Sequence, residues 1–368
     1  MRNVLVAAAI VLTAPPAAAG LSAGVFVPAP SMSFARYTAS AAALADGSVV
    51  LYGPSYNGDR YDTTAGLFVE TGLIPAPRFA GRLLALPDGR ALLVGGSTTD
   101  ARTVRYDPGA SAWSWGSPME SARMAAQVAT LDDGRMLVAG GYGADGVALA
   151  TAELYDPTRD AFSATGTMPR ARQGGIAEVL VDGTVLVAGG VDATGYGDPC
   201  AVLYSPTSAT FTDGPCFSAA PEGLYTPASA RLDDGRVLVS GGLVFTGSSS
   251  QRVATDAEVY DPNADTWTGH PASARAGHTL TALADGTVLV AGGHDDWGQP
   301  IGTSEIFDAR TDLLRPGPSM VAARFGHTAT TLPGNRVLVA GGQVGGGQWT
   351  ASSEIYTADA VFAAGFER

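Results

Sequence analysis

The sequence predicts an all-β fold, a seven-bladed β-propeller of four-stranded antiparallel blades. Three observations carry this. The phrase DGRVLVSGG at 234–242 recurs as DGRALLVGG, DGRMLVAGG, DGTVLVAGG (twice) and GNRVLVAGG, with a degenerate first copy, DGSVVLYGP, from Asp46. The second glycines of the clear pairs, Gly96, Gly141, Gly190, Gly242, Gly293 and Gly342, are spaced by 45, 49, 52, 51 and 49 residues. Behind each pair come a variable stretch and a strand-like phrase such as AELYDPTRDAF (152–162) or AEVYDPNADTW (257–267). A unit of about 50 residues repeated seven times is a propeller blade. The copies fill residues from about 32 to 362 without a linker or composition shift, so 20–368 reads as one domain.

In chain order, the first 19 residues read as a secretory signal peptide. Arg2 gives a positive start, Val4 to Thr13 form a short apolar run, and Ala17-Ala18-Ala19 supply a small-residue cleavage site after Ala19. The run is too short to span a bilayer, and no other stretch approaches the ~20 apolar residues required. A secreted or periplasmic protein is expected. Each copy then converts to strands a to d of a meander. Asp-Gly or Gly-Asn between apolar runs is a two-residue hairpin signal, with positive φ expected at both turn positions. Runs such as Val288-Leu289-Val290 suit a strand covered on both faces. The Gly-Gly ending allows close backbone approach and releases strand b into a loop. The Tyr-Asp-Pro phrase ends strand c and turns toward the Trp or Phe of strand d.

Two cysteines suit an oxidising compartment. Cys200 and Cys216 have their midpoint at 208, and the reversal Tyr204 to Phe211 has its own at 207.5. The thiols therefore fall nearly opposite each other on adjacent strands, within reach of a disulfide.

The paired glycines, the downstream Tyr and the later Trp or Phe resemble the kelch repeat, including its occurrence in the central domain of galactose oxidase. The resemblance covers about 330 of 368 residues and departs in copy one, where Pro54 replaces the second glycine. It implies the propeller fold. The copper radical oxidases that share the repeat use Tyr and His ligands, a Cys–Tyr crosslink and a further domain. This chain has no Tyr-His dipeptide and no such domain, so that chemistry is disfavoured. Kelch propellers also include an exported sialic-acid mutarotase, which keeps a cofactor-free sugar-modifying enzyme as the alternative reading.

Composition excludes several classes of function. Net charge is −13, so an extended basic footprint for nucleic acid or anionic lipid is missing. All 22 basic residues are Arg; without Lys there is no Schiff base, Lys general base or P-loop Lys. No motif supplies a nucleophile with its base, and no cofactor or metal site is expected. An Arg stands ten residues before the hairpin turn in six copies, as Arg36, Arg78, Arg123, Arg172, Arg275 and Arg324, with Leu224 in copy five. These could ring the channel mouth as an anion site, but a residue kept in nearly every blade more often does one structural job in each. Glu153, Glu258, Glu305 and Glu354 are the candidate acceptors.

Uniform turns serve architecture, whereas variable loops on a rigid scaffold more often bind. The a–b and c–d turns share one face. The b–c loops, on the other, vary in length and hold Tyr56, Tyr142, Asp192, Tyr196, Phe245, His294, Asp295, Asp296, Trp297, Gln343 and Trp349. His278 and His327 repeat one position, three after the Arg, in blades six and seven. The expected ligand-binding set is therefore His278, His294, Asp295, Asp296, Trp297, His327, Gln343 and Trp349. Aromatics beside carboxylates and amides suit a glycan or a protein partner. A metal cluster at His294, Asp295 and Asp296 is disfavoured, since neighbours on a loop rarely converge. Two segments compete to complete the seventh blade: the tail through Phe362, or GVFVPAP around Phe26.

Overall fold

The computed structural model describes residues 24–247 and 250–358. The expected signal peptide at 1–19 and the tail beyond 358, with Phe362, lie outside the described residues. Seven four-stranded antiparallel sheets form a propeller, one sheet per repeat. The innermost strands are Ser40–Ala43, Arg82–Ala85, Gln127–Thr130, Ile176–Val179, Ala228–Arg231, Thr279–Ala282 and Thr328–Leu332. Two extra hairpins decorate b–c loops: Leu243–Gly247 with Ser250–Val253 in blade five, and Gln343–Val344 with Gln348–Trp349 in blade seven.

Burial follows the repeat. Strand b is buried along its whole length in Val49–Tyr52, Ala91–Val94, Met136–Ala139, Val185–Ala188, Val237–Ser240 and Thr287–Ala291. Seven apolar clusters are found among the described residues, and each joins two neighbouring blades. Leu83 and Leu93 of blade two, for example, pack with Val50 and Tyr52 of blade one. Each fully buried aliphatic or aromatic side chain stabilises by about 1.5–3 kcal/mol, and a lone blade would forfeit this on both faces.

The Tyr of strand c sits opposite the aromatic of strand d. Ring centroids are 4.7 Å apart for Tyr204 and Phe211 and 5.1 Å for Tyr260 and Trp267. Blade seven repeats the pairing with a residue from the other end of the sequence. Val25–Ala29 pairs antiparallel with Ser353–Thr357, which opposes Phe26 to Tyr356 at 5.1 Å. Of the two candidates for ring closure, the segment around Phe26 fills the place.

The a–b turns differ from expectation. Leu44 N–H bonds to Ser48 O, and Gly47 N–H to Leu44 O, so the loop has three residues and ends on a left-handed glycine (φ 81°). Asp46 keeps negative φ, because its carboxylate accepts the Ser48 N–H at 2.9 Å and so fixes the turn. Only the seventh turn, Gly334-Asn335, has positive φ at both positions.

Cys200 and Cys216 form a disulfide. They are directly opposed although the rest of the hairpin runs one residue out of step with them. A β-bulge between Cys200 and Val202 supplies the extra residue.

The glycine pair is the joint between blades. The second glycine's N–H donates to the carbonyl of the next blade's Arg slot at 2.7–3.0 Å: Gly96 to Arg123, Gly141 to Arg172, Gly190 to Leu224, Gly242 to Arg275, Gly293 to Arg324 and Gly342 to Arg36. A Cβ on Gly241 would sit 2.2 Å from Arg275 O, which only glycine tolerates. Pro54 has no N–H to give in blade one. There the Tyr52 hydroxyl meets the Arg78 carbonyl and amide instead.

Candidate functional site

The six slot arginines are buried and committed to structure. Each bonds a carboxylate of its own blade: Arg36 to Asp59, Arg78 to Asp100, Arg123 to Glu153, Arg172 to Asp198, Arg275 to Glu305 and Arg324 to Glu354, at 2.6–3.1 Å. Three of the expected glutamates are acceptors; aspartates serve the other three blades. Arg123 also donates to Gly140 O at 2.9 Å, which ties the blade's inner approach segment to its glycine pair. The guanidinium heads are thus unavailable to a channel-mouth anion.

Two residues past each slot, the backbone turns left-handed. Thr38, Ala80, Ala125, Gly174, Thr226, Gly277 and Gly326 have φ between 48° and 69°. This orients their amides around the ring: Thr38 N–H bonds Gly326 O, Ala125 bonds Ala80, Gly174 bonds Ala125, Thr226 bonds Gly174, and Gly326 bonds Gly277, at 2.7–3.2 Å. The collar frames the mouth of a central cavity of about 560 Å³, lined below by the inner strands.

One residue past each slot lies the rim. Tyr37, Phe79, Tyr225 and Phe325 are its aromatics. Trp349, 51% exposed, stacks on Tyr37 at 6.2 Å and 27°. Tyr37 meets the edge of Phe325 at 5.5 Å, and Phe325 meets His294 at 4.8 Å. The result is an aromatic arc over blades six, seven and one. Burial raises the pKa of the Tyr37 phenol, so its hydroxyl stays protonated near neutrality.

The expected binding residues divide into three groups. Trp297 and Trp349 are exposed on the b–c face, at 82% and 51%, and Gln343 pairs with Trp349 across a short hairpin. His294, Asp295 and Asp296 are occupied locally. His294 Nδ1 lies 2.8 Å from Asp295 O. Asp295 Oδ1 accepts the Trp297 and Gln299 N–H groups, and Asp296 Oδ1 takes Val253 N–H from the blade-five loop at 2.6 Å. His278 and His327 are buried between blades at 7% and 5% exposure. Desolvation, aided by Arg275 and Arg324 respectively, pushes both pKa values down to about 3. His327 Nε2 meets Thr279 Oγ1 at 3.1 Å, and neither histidine meets a carboxylate.

Sequence reasoning missed Tyr37, Phe325 and the channel residues Arg82 and Glu178. The first two occupy the position after the repeated Arg, a slot whose residue type changes from blade to blade.

No family model matches the sequence, and no curated protein matches it. Solved structures match the fold. YjhT superposes with a TM-score of 0.61 at 15% identity, over 78% of this chain and 97% of that one. A fungal alcohol oxidase of the AA5 family, solved in complex with copper, gives a TM-score of 0.71 at 17% identity, over 91% and 76%. The chain has the kelch-type propeller fold these proteins share. Among the described residues no group of three His, Cys, Asp or Glu could hold a metal, and both cysteines are in the disulfide.

Proposed function

We propose that this protein is an exported binding propeller that takes a glycan on its b–c loop face, at the channel mouth over blades six, seven and one. The observation that carries the reading is the arc Trp349, Tyr37, Phe325 and His294, whose outer member presents an indole face to solvent. Sugar rings offer flat C–H faces to such aromatics, while hydroxyls find the phenol and amide groups beside them. Export rests on the expected leader and fits the disulfide. No helix among the described residues is long and apolar enough to cross a membrane.

Glycan-array screening of the purified protein tests this. Trp349→Ala and Tyr37→Ala should each weaken the best hit at least tenfold, and Trp297→Ala should weaken it if the ligand extends over blade six. Binding that survives these changes but is lost on substituting the a–b turns would place the site on the opposite face. Binding to a protein and to no glycan would assign the same face to a polypeptide partner.

A further inference from the structure

Below the collar, the channel carries two charges. Arg82, the first residue of blade two's inner strand, faces the lumen and is exposed to it. Among the described residues it makes no ion pair or hydrogen bond, although almost every other arginine in the structure has a carboxylate or carbonyl partner. Glu178, on blade four's inner strand, lines the same cavity. Its Oε1 accepts a 2.6 Å hydrogen bond from Ser229, and its other oxygen has no partner among the described residues. The two groups feel each other's charge but are too far apart to pair. Arg231 also acts on Glu178, from the lower end of its strand, where it is exposed and bonds Val179 O at 3.1 Å. The surrounding walls are small and of mixed polarity, with Ala39, Ala41 and Ala126 beside Ser40, Gln127 and Thr279.

An unpaired cation and a half-satisfied carboxylate in one narrow lumen each keep hydrogen-bonding capacity that a ligand can meet. A ligand of single charge would neutralise one of them and leave the other worse placed. A ligand with both charges neutralises each at once and adds no net charge to a confined site. The guanidinium fork matches a carboxylate in two bonds, and Glu178 can take an ammonium N–H.

We propose that the upper channel binds a small zwitterion, an amino acid or short homologue, with its carboxylate on Arg82 and its ammonium on Glu178. The cavity volume exceeds that of a single amino acid, so the charge separation of the ligand sets the fit rather than its bulk. This site lies beneath the rim and does not depend on the aromatic arc.

Calorimetric titration with glycine, β-alanine, γ-aminobutyrate and diglycine measures that separation, with acetate and methylamine as single-charge controls. At least one zwitterion should bind with a dissociation constant at or below about 1 mM, and both controls at least tenfold more weakly. Arg82→Gln and Glu178→Gln should each weaken that zwitterion at least tenfold without changing Tm by more than a few degrees. Trp349→Ala should leave it unchanged, which separates this site from the glycan reading. Glu178→Gln, nearly isosteric, decides the matter should Arg82→Gln fold poorly. The proposal is overturned if no zwitterion binds with a dissociation constant at or below about 1 mM, if either control binds within about tenfold of the best zwitterion, or if the folded variants lose less than about tenfold.

Discussion

Leu224 stands where six other blades carry a buried arginine, and Glu258 keeps its carboxylate without one. Glu258 is held instead by the N–H groups of Ser218, Ala219 and Ala220, at 2.6–3.2 Å, and by the Ser218 hydroxyl at 2.8 Å. Glu153 likewise accepts the N–H groups of Glu120 and Ser121, in addition to Arg123. In blades one, three, five and seven the carboxylate thus also holds a backbone N–H of the segment that enters the blade, whereas Asp100 and Asp198 take theirs from Arg102 and Cys200 of their own strands.

Removing one partner of such a pair leaves the other buried and charged. Arg123→Met should lower stability by about 3–5 kcal/mol, because Arg123 and Glu153 are 0% and 2% exposed. Adding Glu153→Leu should recover part of the loss. Urea unfolding of the single and double variants checks this, and a single variant within about 1 kcal/mol of wild type would show that the pair is not buried in solution.

The glycine joints can be separated from ordinary left-handed glycines. Gly241→Ala places a Cβ 2.2 Å from Arg275 O, whereas at Gly146 (φ 74°) nothing lies within 4 Å of the added carbon. Gly146→Ala should therefore cost only the backbone penalty of about 1–2 kcal/mol. Gly241→Ala should cost clearly more, since a backbone oxygen of the next blade must move. Equal thermal shifts for the two would refute the close approach.

His278 and His327 make stability fall in mild acid. Both hold folded pKa values of about 3, against roughly 6.5 in the unfolded chain. Their contribution is complete above the unfolded value and is lost as pH falls from there toward the folded one. The slope is up to about 1.4 kcal/mol per pH unit for each histidine. Asp100, held down at about 2 chiefly by its hydrogen bond to Arg102, acts in the same sense but at lower pH. Urea midpoints at pH 7.5, 5.5 and 4.5 should decline, and His327→Gln should flatten the decline. A flat profile for wild type would contradict the desolvation.

Reducing the Cys200–Cys216 bridge should destabilise the protein by about 3 kcal/mol, the loop-entropy value for a separation of 16 residues. Because the strands pair without it, the reduced protein should keep its β-sheet circular dichroism. Loss of that signal on reduction would show that blade four depends on the bridge.

Most of the fold was legible because the repeat writes the same physics seven times. A glycine pair every 45–52 residues marks six of the seven joints, and the Arg slot, filled by Leu224 in blade five, precedes each inner strand. The turn type was misread because Asp-Gly suits two geometries. What decides between them is the Asp46 carboxylate capping Ser48, a contact that spacing alone does not reveal. The site was less legible for a related reason. Trp297 and Trp349 stood out as loop aromatics, and the structure exposes both. His278 and His327 stood out because they recur, and the structure buries both between blades. Arg82 and Glu178 belong to inner strands whose sequences give no sign of which side chains reach the lumen, since that depends on how seven sheets tilt around one axis.

The strand Val25–Ala29 has a consequence for how the molecule assembles. Ser353 Oγ bonds Pro30 O across 323 residues of intervening chain, so the ring has a seam. Joining segments so distant in sequence carries the largest loop-closure entropy in the molecule, while the hairpins within a blade close over short spans. Six blades can therefore zip up locally before the seventh is whole. The same seam is the place to look first for opening under load or heat. Amide exchange in Ser353–Thr357 should outpace that in the equivalent strand of blade three, Ala152–Asp156.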